Sequence, residues 1–186
     1  ISLGLVGSEM CIRDRLVNLQ LEATATEGSN GNTAMTTRPF TIIVDAQADA
    51  PIVPSGATTI DEDVQTVIGT GIAYALADMD GSEAVSRVDV TGFPTGTTIT
   101  LAAIGGATVS TIAGGYRITG PAADIRTTLD GLSVRAPANS DAAITLSVAV
   151  TTLDADGSTA TTAGTYNLNV TAVADAPTIA ATTSSG

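Results

Sequence analysis

Short runs of alternating apolar and polar residues dominate the chain and predict β-strands. The clearest run spans residues 144–150, where Ile, Leu and Val occupy every second position. In a second run, at residues 166–170, Tyr, Leu and Val alternate with two Asn residues. A period of two is typical of a strand with one buried and one solvated face. Further short apolar segments at residues 85–90, 99–101 and 116–118 are bounded by Gly, Pro or Asp.

One segment, residues 121–129, has the pattern of a short helix instead. Pro121 suits the first helical position, Gly131 follows the expected end, and Ile125 and Leu129 are spaced to face the core. A strand at residues 132–135 should follow. Seven or eight short strands with one short helix predict an all-β fold, a Greek-key β-sandwich of the immunoglobulin or cadherin type. With few aromatic residues in the chain, its core should consist of Val, Ile, Leu and Ala.

The chain also contains an internal repeat. The segment at residues 40–51, FTIIVDAQADAP, reappears at residues 166–177 as YNLNVTAVADAP, an offset of 126 residues. Residues 19–23 lie over residues 146–150 once one residue is inserted. The alternative interpretation is that any two β-strands of an Ala- and Thr-rich chain look alike, but the shared offset favours a true repeat.

The repeat predicts how the chain is organised. Residues 16–51 are expected to be the last two strands of one module with its exit linker. Residues 52–177 would form one complete module, and residues 178–186 would be the linker or start of the next. The period of 126 residues exceeds the roughly 20–50 residues of solenoid repeats, so each module should own its core. We therefore expect tandem modules, with neighbouring repeats of the same chain as the partners of each.

Residues 1–15 differ from the rest of the chain. They lack the basic start and the small-residue cleavage site of a signal peptide. The segment resembles translated sequencing adapter, and we interpret it as non-native; the alternative is a frayed strand. The single cysteine, Cys11, lies in this segment, so no disulfide is expected within the chain.

Charge and composition exclude several classes of function. The chain has 19 acidic and 7 basic residues, a formal charge of −12, no Lys and no His. Such an acidic chain is a poor partner for nucleic acid, whose phosphates require positive charge. No apolar run approaches the roughly 20 residues of a membrane-spanning helix, so direct membrane insertion is not expected. Without His, most zinc sites, Ser–His triads and Cys–His dyads are excluded, and we expect no enzyme.

The acidic residues cluster in predicted turns and linkers, where their oxygens could bind a metal ion. Ca²⁺ takes six to eight oxygen ligands, and Asp-x-Asp spacing in a turn that ends in Gly aims two carboxylates at one point. An EF-hand is excluded because the sequence predicts no helices on either side of these turns. Ordinary turn chemistry is the alternative, since Asp and Gly favour turns in any case. The candidate Ca²⁺ ligands are Asp49, Asp61, Glu62, Asp63, Asp78, Asp80, Glu83, Asp154, Asp156 and Asp175.

The predicted strand order distributes these acids between the two ends of the module. The turn with Asp154 and Asp156 is expected at the N-terminal end, near Asp49 and residues 61–63. The turn at residues 78–83 is expected at the opposite end. The other acids expected at that opposite end are Asp141 and Asp175. A divalent ion at each junction would then fix the angle between modules.

Taken in order, several motifs resemble one family. The frame of DED at residues 61–63, ADMDGSE at 77–83, VTGFPTG at 90–96 and VADAP at 173–177 resembles the tandem extender repeats of large bacterial RTX-type adhesins. The ADAP linker also resembles the Asp-Asn-Ala-Pro linker of cadherins, although its second acid is absent here. The sequence at residues 154–156 resembles a cadherin calcium motif.

This resemblance implies a secreted protein of the bacterial cell surface. Its repeats would be non-catalytic spacers that Ca²⁺ rigidifies, and they would hold a distal ligand-binding domain away from the cell. Ca²⁺ is the cofactor that the resemblance implies.

Other functions remain as alternatives. A carbohydrate-binding module usually exposes aromatic rings, of which the chain has few, and an ice-binding repeat needs a more regular Thr-x-Thr array than this one. Asp78 and Asp80 are the nearest pair for glycoside hydrolysis, but they are expected on a solvated turn with no apolar cleft. The chain could also be an accessory repeat of a secreted hydrolase.

Overall fold

The structure is a computed structural model that describes residues 15–44, 47–79, 81–177 and 179. The segment predicted to be non-native therefore lies outside the described residues, apart from Arg15, which begins the first strand.

The described part of the chain is mostly β-structure, as the alternating pattern predicts. Eleven strands and one α-helix are present in these residues, with one short 3-10 turn at Gly69–Gly71. The strands are β1 (Arg15–Thr26), β2 (Thr33–Val44), β3 (Gly56–Asp61), β4 (Thr66–Val67), β5 (Glu83–Thr91), β6 (Thr98–Thr100), β7 (Thr108–Ile112), β8 (Gly115–Thr119), β9 (Ser133–Arg135), β10 (Ile144–Asp154) and β11 (Thr159–Thr171). The helix, α1, is Ala122–Asp130.

The module forms two sheets. Six strands pair in the order β3-β11-β10-β5-β8-β7, and three pair in the order β4-β9-β6. All pairings are antiparallel except that of β3 with β11, which is parallel. Because β3 and β11, the first and last strands of the module, are parallel, both run in the same direction from one end of it to the other.

One core joins both sheets and the helix. On the larger sheet, Val88, Ile118, Leu146 and Leu168 are fully buried, and Val134 of the smaller sheet belongs to the same cluster. Among the described residues, Tyr166 is the one aromatic residue in the buried set. The prediction of a core built from Val, Ile, Leu and Ala is confirmed. Two sheets over one core agree with a β-sandwich.

The short helix is confirmed, one residue later than predicted. Pro121 has extended backbone dihedrals and precedes α1 instead of beginning it. Ile125 and Leu129 are completely buried, as their spacing predicts, and Gly131 follows the last turn. The strand predicted at residues 132–135 is β9.

The hairpin of β1 and β2 forms a separate two-stranded sheet. Its register repeats that of β10 and β11. Leu19 pairs with Phe40 in the first hairpin, and Leu146 pairs with Tyr166 in the second. Each of the ten pairs between β10 and β11 has such a counterpart, shifted by 127 residues on the first strand and 126 on the second. The sequence repeat therefore coincides with a repeat of local structure.

Candidate functional site

The candidate site lies at the end of the module where the chain enters it, which we call the proximal end. Here β5 begins at Glu83 and β10 ends at Asp154, and the antiparallel register makes these two residues direct partners. Two neighbouring strands thus bring together carboxylates that are 71 residues apart in the sequence.

The linker before the module crosses this end and is held there by three hydrogen bonds. The backbone N–H of Asp49 donates to Glu83 Oε1. Thr152 Oγ1 donates to the carbonyl oxygen of Asp49 at 2.7 Å. The backbone N–H of Ala48 donates to Ser158 Oγ at 2.8 Å. Asp49 is therefore next to the carboxylate of Glu83, with its own side chain exposed.

Glu83 and Asp154 are the unusual residues of this end, because both are acidic and buried. They are 7% and 5% exposed, respectively. Glu83 Oε2 and Asp154 Oδ1 are inaccessible and accept no hydrogen bond, and neither residue forms an ion pair within the described part of the chain. A buried carboxylate oxygen without a hydrogen bond or counter-charge is costly, so such oxygens normally have a hydrogen-bond partner or a counter-charge. The two orphaned oxygens make this end of the module the candidate site.

The turn between β10 and β11 carries a third acid, Asp156, at the same end of the module. The backbone N–H of Asp154 donates to the carbonyl oxygen of Ser158 at 3.0 Å. Asp156 Oδ1 accepts a hydrogen bond from the backbone N–H of Ser158 at 2.7 Å. Hydrogen bonds from Ser158, first from its side chain and then from its backbone, hold the pKa of Asp156 below its ordinary value. Asp156 is therefore charged and exposed, and one of its oxygens is already used by the turn.

At the opposite, distal end, Glu62 holds the segment that leaves the module. Glu62 is 4% exposed, and its Oε1 accepts a hydrogen bond from the backbone N–H of Val173 at 2.7 Å. Its own backbone N–H donates to the carbonyl oxygen of Thr171 at 3.1 Å. Asp61, paired with Thr171, and Asp63 are exposed at this end. Asp175 is also exposed and lies two residues beyond Val173.

Two expected positions are wrong. Residues 61–63 were expected at the proximal end and the turn at residues 78–83 at the distal end, and the structure exchanges them. Because β3 is parallel to β11, Asp61 ends beside Thr171 at the distal end. The chain then returns through β4, the 3-10 turn and the bridge between Ile52 and Ala75 before β5 starts at the proximal end.

The other expected positions agree with the structure. Asp49, Asp154 and Asp156 are together at the proximal end, and Asp175 is at the distal end. Asp78 is exposed on the loop before β5. Asp80 lies outside the described residues, so its predicted role has no structural counterpart here.

The structure brings two carboxylates together, those of Glu83 and Asp154, and not a larger cluster. Within residues 15–44, 47–79, 81–177 and 179, no three His, Cys, Asp or Glu side chains converge as a metal-binding group. Glu83 and Asp154 would supply part of the six to eight oxygens that Ca²⁺ takes. Backbone carbonyls and water would have to supply the rest, because the side chains of Asp49 and Asp156 do not converge with this pair into a metal-binding group.

Two hydroxyl residues at the proximal end were missed by the sequence analysis. Thr152 and Ser158 both form hydrogen bonds with the linker. In the sequence, however, they look like ordinary strand and turn residues. Their counterparts in the repeat are Ala25 and Asn32, so the repeat itself gives no signal for them.

A groove of about 300 Å³ lies beside the site, lined by Tyr74, Leu76, Glu83, Val85, Ala122 and Arg126. The guanidinium of Arg126 stacks over the ring of Tyr74 at 5.1 Å from its centroid. It also donates to the carbonyl oxygens of Ile72 and Gly69 at 2.8 and 3.0 Å. These contacts anchor the segment around the 3-10 turn to α1, which accounts for Arg126 by structure alone.

No helix in the described residues is long and apolar enough to cross a membrane.

Comparisons with known proteins give little on the identity of this chain. No protein-family model and no curated protein matches it. Among solved structures, it is similar to human mucin-like protocadherin EC1-2, with 16% sequence identity and a TM-score of 0.33. That match covers 83% of this chain and 69% of the other.

Proposed function

We propose that this chain is a non-catalytic spacer from a secreted adhesin of the bacterial cell surface, built from tandem Greek-key modules of the immunoglobulin or cadherin-like class. In this proposal Ca²⁺ binds at the proximal end of each module and rigidifies the junction with the module before it. The partners of each module are the neighbouring repeats of the same chain.

The observation that carries the proposal is the buried pair of Glu83 and Asp154. Two carboxylates on paired positions repel each other, and burial removes the water that would screen them. The chain has no Lys, and in its described part no Arg forms an ion pair with either residue. A divalent cation relieves the repulsion and satisfies the orphaned Oε2 and Oδ1 atoms together. An all-oxygen donor set favours a hard cation such as Ca²⁺.

The linker contacts explain how a bound ion would act on the junction. Glu83 Oε1 already accepts a hydrogen bond from the backbone of Asp49. An ion bound by Glu83 would therefore be connected to the linker through this one side chain. Fixing Glu83 fixes the linker backbone, and the linker sets the direction of the preceding module. Without the ion, repulsion between Glu83 and Asp154 would loosen the same contact.

Thermal unfolding tests the calcium site directly. We expect millimolar Ca²⁺ to raise the melting temperature of the module and EDTA to reverse the change, because a ligand at 100 times its Kd stabilises the native state by about 2.7 kcal/mol. Glu83→Gln and Asp154→Asn should each reduce this calcium-dependent increase. Asp63→Asn, an exposed carboxylate at the distal end, is the matched control and should retain it. An equal response to Ca²⁺ in all four proteins, or none in the wild type, would reject the site.

The spacer role needs a separate test on two joined modules. A chain with two copies of residues 52–177 should show a narrower distribution of inter-module distances in small-angle scattering with Ca²⁺ than with EDTA. The same distribution under both conditions would leave a calcium site without a role in rigidity.

A further inference from the structure

We infer that the β1–β2 hairpin is a docking surface for the first part of another module of this kind, a segment equivalent to residues 52–143. This inference rests on the proposed tandem arrangement and names the surface that would join the two parts. It follows from a template within the molecule, since β10 and β11 show what covers an equivalent hairpin.

The inner face of the β1–β2 hairpin carries the residue types that are buried in the module. Phe40 and Ile42 correspond to Tyr166 and Leu168, which are 5% and 0% exposed, but Phe40 and Ile42 are each 44% exposed. On the first strand, the counterparts of the buried residues Ile144, Leu146 and Val148 are Val17, Leu19 and Leu21. Leu21 is 43% exposed. The face has the composition of a core and lacks the rest of that core.

The outer face of the β1–β2 hairpin also corresponds to the outer face of β10 and β11. This correspondence identifies the face of the hairpin that would point towards a core. In the module, Thr145 Oγ1 donates to Asn167 Oδ1 at 2.9 Å across β10 and β11. In the hairpin, Thr41 Oγ1 donates to Asn18 Oδ1 at 2.8 Å. These are the corresponding positions with Thr and Asn exchanged. The side of the hairpin with this hydrogen bond therefore corresponds to the solvated side of β10 and β11, although Ile43 on it is 70% exposed, and the side with Phe40 and Ile42 corresponds to their buried side.

Among the described residues no strand pairs with either edge of the hairpin, and the module shows what would pair with each. β5 pairs with β10, so the edge of β1 fits a strand of the β5 type, with Leu21 opposite the counterpart of Val90. β3 pairs in parallel with β11, so the edge of β2 fits a strand of the β3 type, with Ile42 opposite the counterpart of Thr58. These two strands belong to the segment at residues 52–143 that the hairpin lacks.

A slot for one aromatic ring makes the fit specific. A Cβ on Gly56 would lie 2.8 Å from the Tyr166 ring, and a Cβ on Gly71 would lie 2.1 Å from its hydroxyl. These two glycines thus leave room for the ring. Phe40 occupies the equivalent position in the hairpin and lacks the hydroxyl, so the same slot accepts it. A partner of this type therefore needs Gly above all at the position equivalent to Gly56.

The test supplies the missing segment covalently. A copy of residues 52–143 is joined directly to residue 17 of the chain, which continues to residue 186, and amide hydrogen exchange is measured in EDTA. We expect the β1–β2 amides to exchange at least about 100-fold more slowly than in the parent chain, as buried strands do when local opening is suppressed. Gly56→Val in the added copy alone should abolish this protection by filling the ring slot. Phe40→Ala should lower the melting temperature of the added module, while Thr41→Ala on the outer face should change it little.

The outcomes separate this inference from the calcium proposal. The unaltered downstream module reports folding in every sample, so fast exchange confined to β1 and β2 would overturn the docking surface. Dimerisation of the parent chain that Phe40→Ala abolishes would overturn the assigned occupant, because a second copy would then cover the face. Work in EDTA keeps the result independent of Ca²⁺, and loss of the calcium response in the parent chain leaves the docking result unaffected.

Discussion

The two hairpins of this protein, β1–β2 and β10–β11, share a register and close with similar turns but differ in what surrounds them. In both turns an Asx side chain accepts a hydrogen bond from the backbone two residues later, from Asn32 to Asn30 at 2.9 Å and from Ser158 to Asp156 at 2.7 Å. In the part of the chain that the structure describes, only the second hairpin has strands on both edges and a second layer over its apolar face. Turn and register are thus specified locally, whereas burial comes from the rest of the module.

The turns differ in their side chains, and the first is one residue longer than the second. Asn30 and Glu27 stand in the first turn where Asp156 and Asp154 stand in the second. Both backbones close alike, because Glu27 N–H donates to Asn32 at 2.8 Å as Asp154 N–H donates to Ser158. The buried acid pair arises only where β5 brings Glu83 to the turn. The local motif therefore supplies half of the candidate site, and the sheet supplies the other half.

The largest expected difference between the hairpins is in hydrogen exchange. Amides of β10 and β11 should exchange only through global unfolding, which costs roughly 5–15 kcal/mol in small domains. An isolated two-stranded hairpin is marginal in water, so β1 and β2 amides should exchange at least about 1000-fold faster. Exchange followed by NMR measures both sets in one sample. Equal protection would mean that the first hairpin is buried by something else.

Truncation of equivalent core residues should show a smaller but clear difference. Leu168→Ala removes a fully buried side chain and should lower the free energy of unfolding of the module by about 2–5 kcal/mol. Ile42→Ala removes its half-exposed counterpart and should change that free energy by less than about 0.5 kcal/mol. Urea unfolding of the two variants measures the contrast. Similar losses would show that the first hairpin contributes to the core of the module.

Calcium should distinguish the two turns at the level of single amides. During a Ca²⁺ titration, NMR shifts should change at Glu83, at Asp154 and in the linker at Asp49, and stay constant in the turn at residues 27–32. Asp154→Asn should remove most of the roughly 2.7 kcal/mol of stabilisation expected at 100 times the Kd. Shifts in both turns would indicate weak binding by any acidic loop and would remove the special role of the buried pair.

The smallest expected effect is the titration of Asp156, whose counterpart Asn30 does not titrate. A pKa that is lower in the folded state than in the unfolded chain adds stability above the unfolded pKa, and this stability is lost as the pH falls through the folded pKa. Only the second turn should therefore weaken on acidification. Ser158→Ala should raise the pKa of Asp156 towards its ordinary value, since Ser158 is the main cause of the shift. Carboxyl NMR titration checks the direction, and an unchanged pKa in the variant would contradict the assigned cause.

Local patterns predicted most of the elements of this fold. Alternation located the last two strands, and the spacing of Ile125 and Leu129 located the helix to within one residue. The parallel pairing of β3 with β11 was not predictable in this way, because it depends on contacts between residues about 110 positions apart. Polarity and spacing do not encode which strand a given strand joins.

The same limit explains the errors in the candidate site. Acids in turns were easy to find. Which end of the module each turn lies at, however, depends on how often the chain has crossed the module before that turn. Between Asp61 and Glu83 the chain returns without a long strand, since only β4, the 3-10 turn and a single bridge to Ile52 mark the way. Because the chain returns in this way, Glu83 lies beside Asp154 at the proximal end, whereas Glu62 lies at the distal end. The burial of both carboxylates followed from this crossing and from no local motif.

The parallel pairing of β3 and β11 also determines how a module would respond to tension along the chain. β3 enters from the proximal end and β11 leaves at the distal end, and six residue pairs join them, from Gly56 with Tyr166 to Asp61 with Thr171. A pull on the two termini drags these strands in opposite directions along their length. Their hydrogen bonds are then loaded in shear and must break together, whereas strands pulled apart from one end break their bonds one at a time. The first and last strands of the module would therefore act as its mechanical clamp.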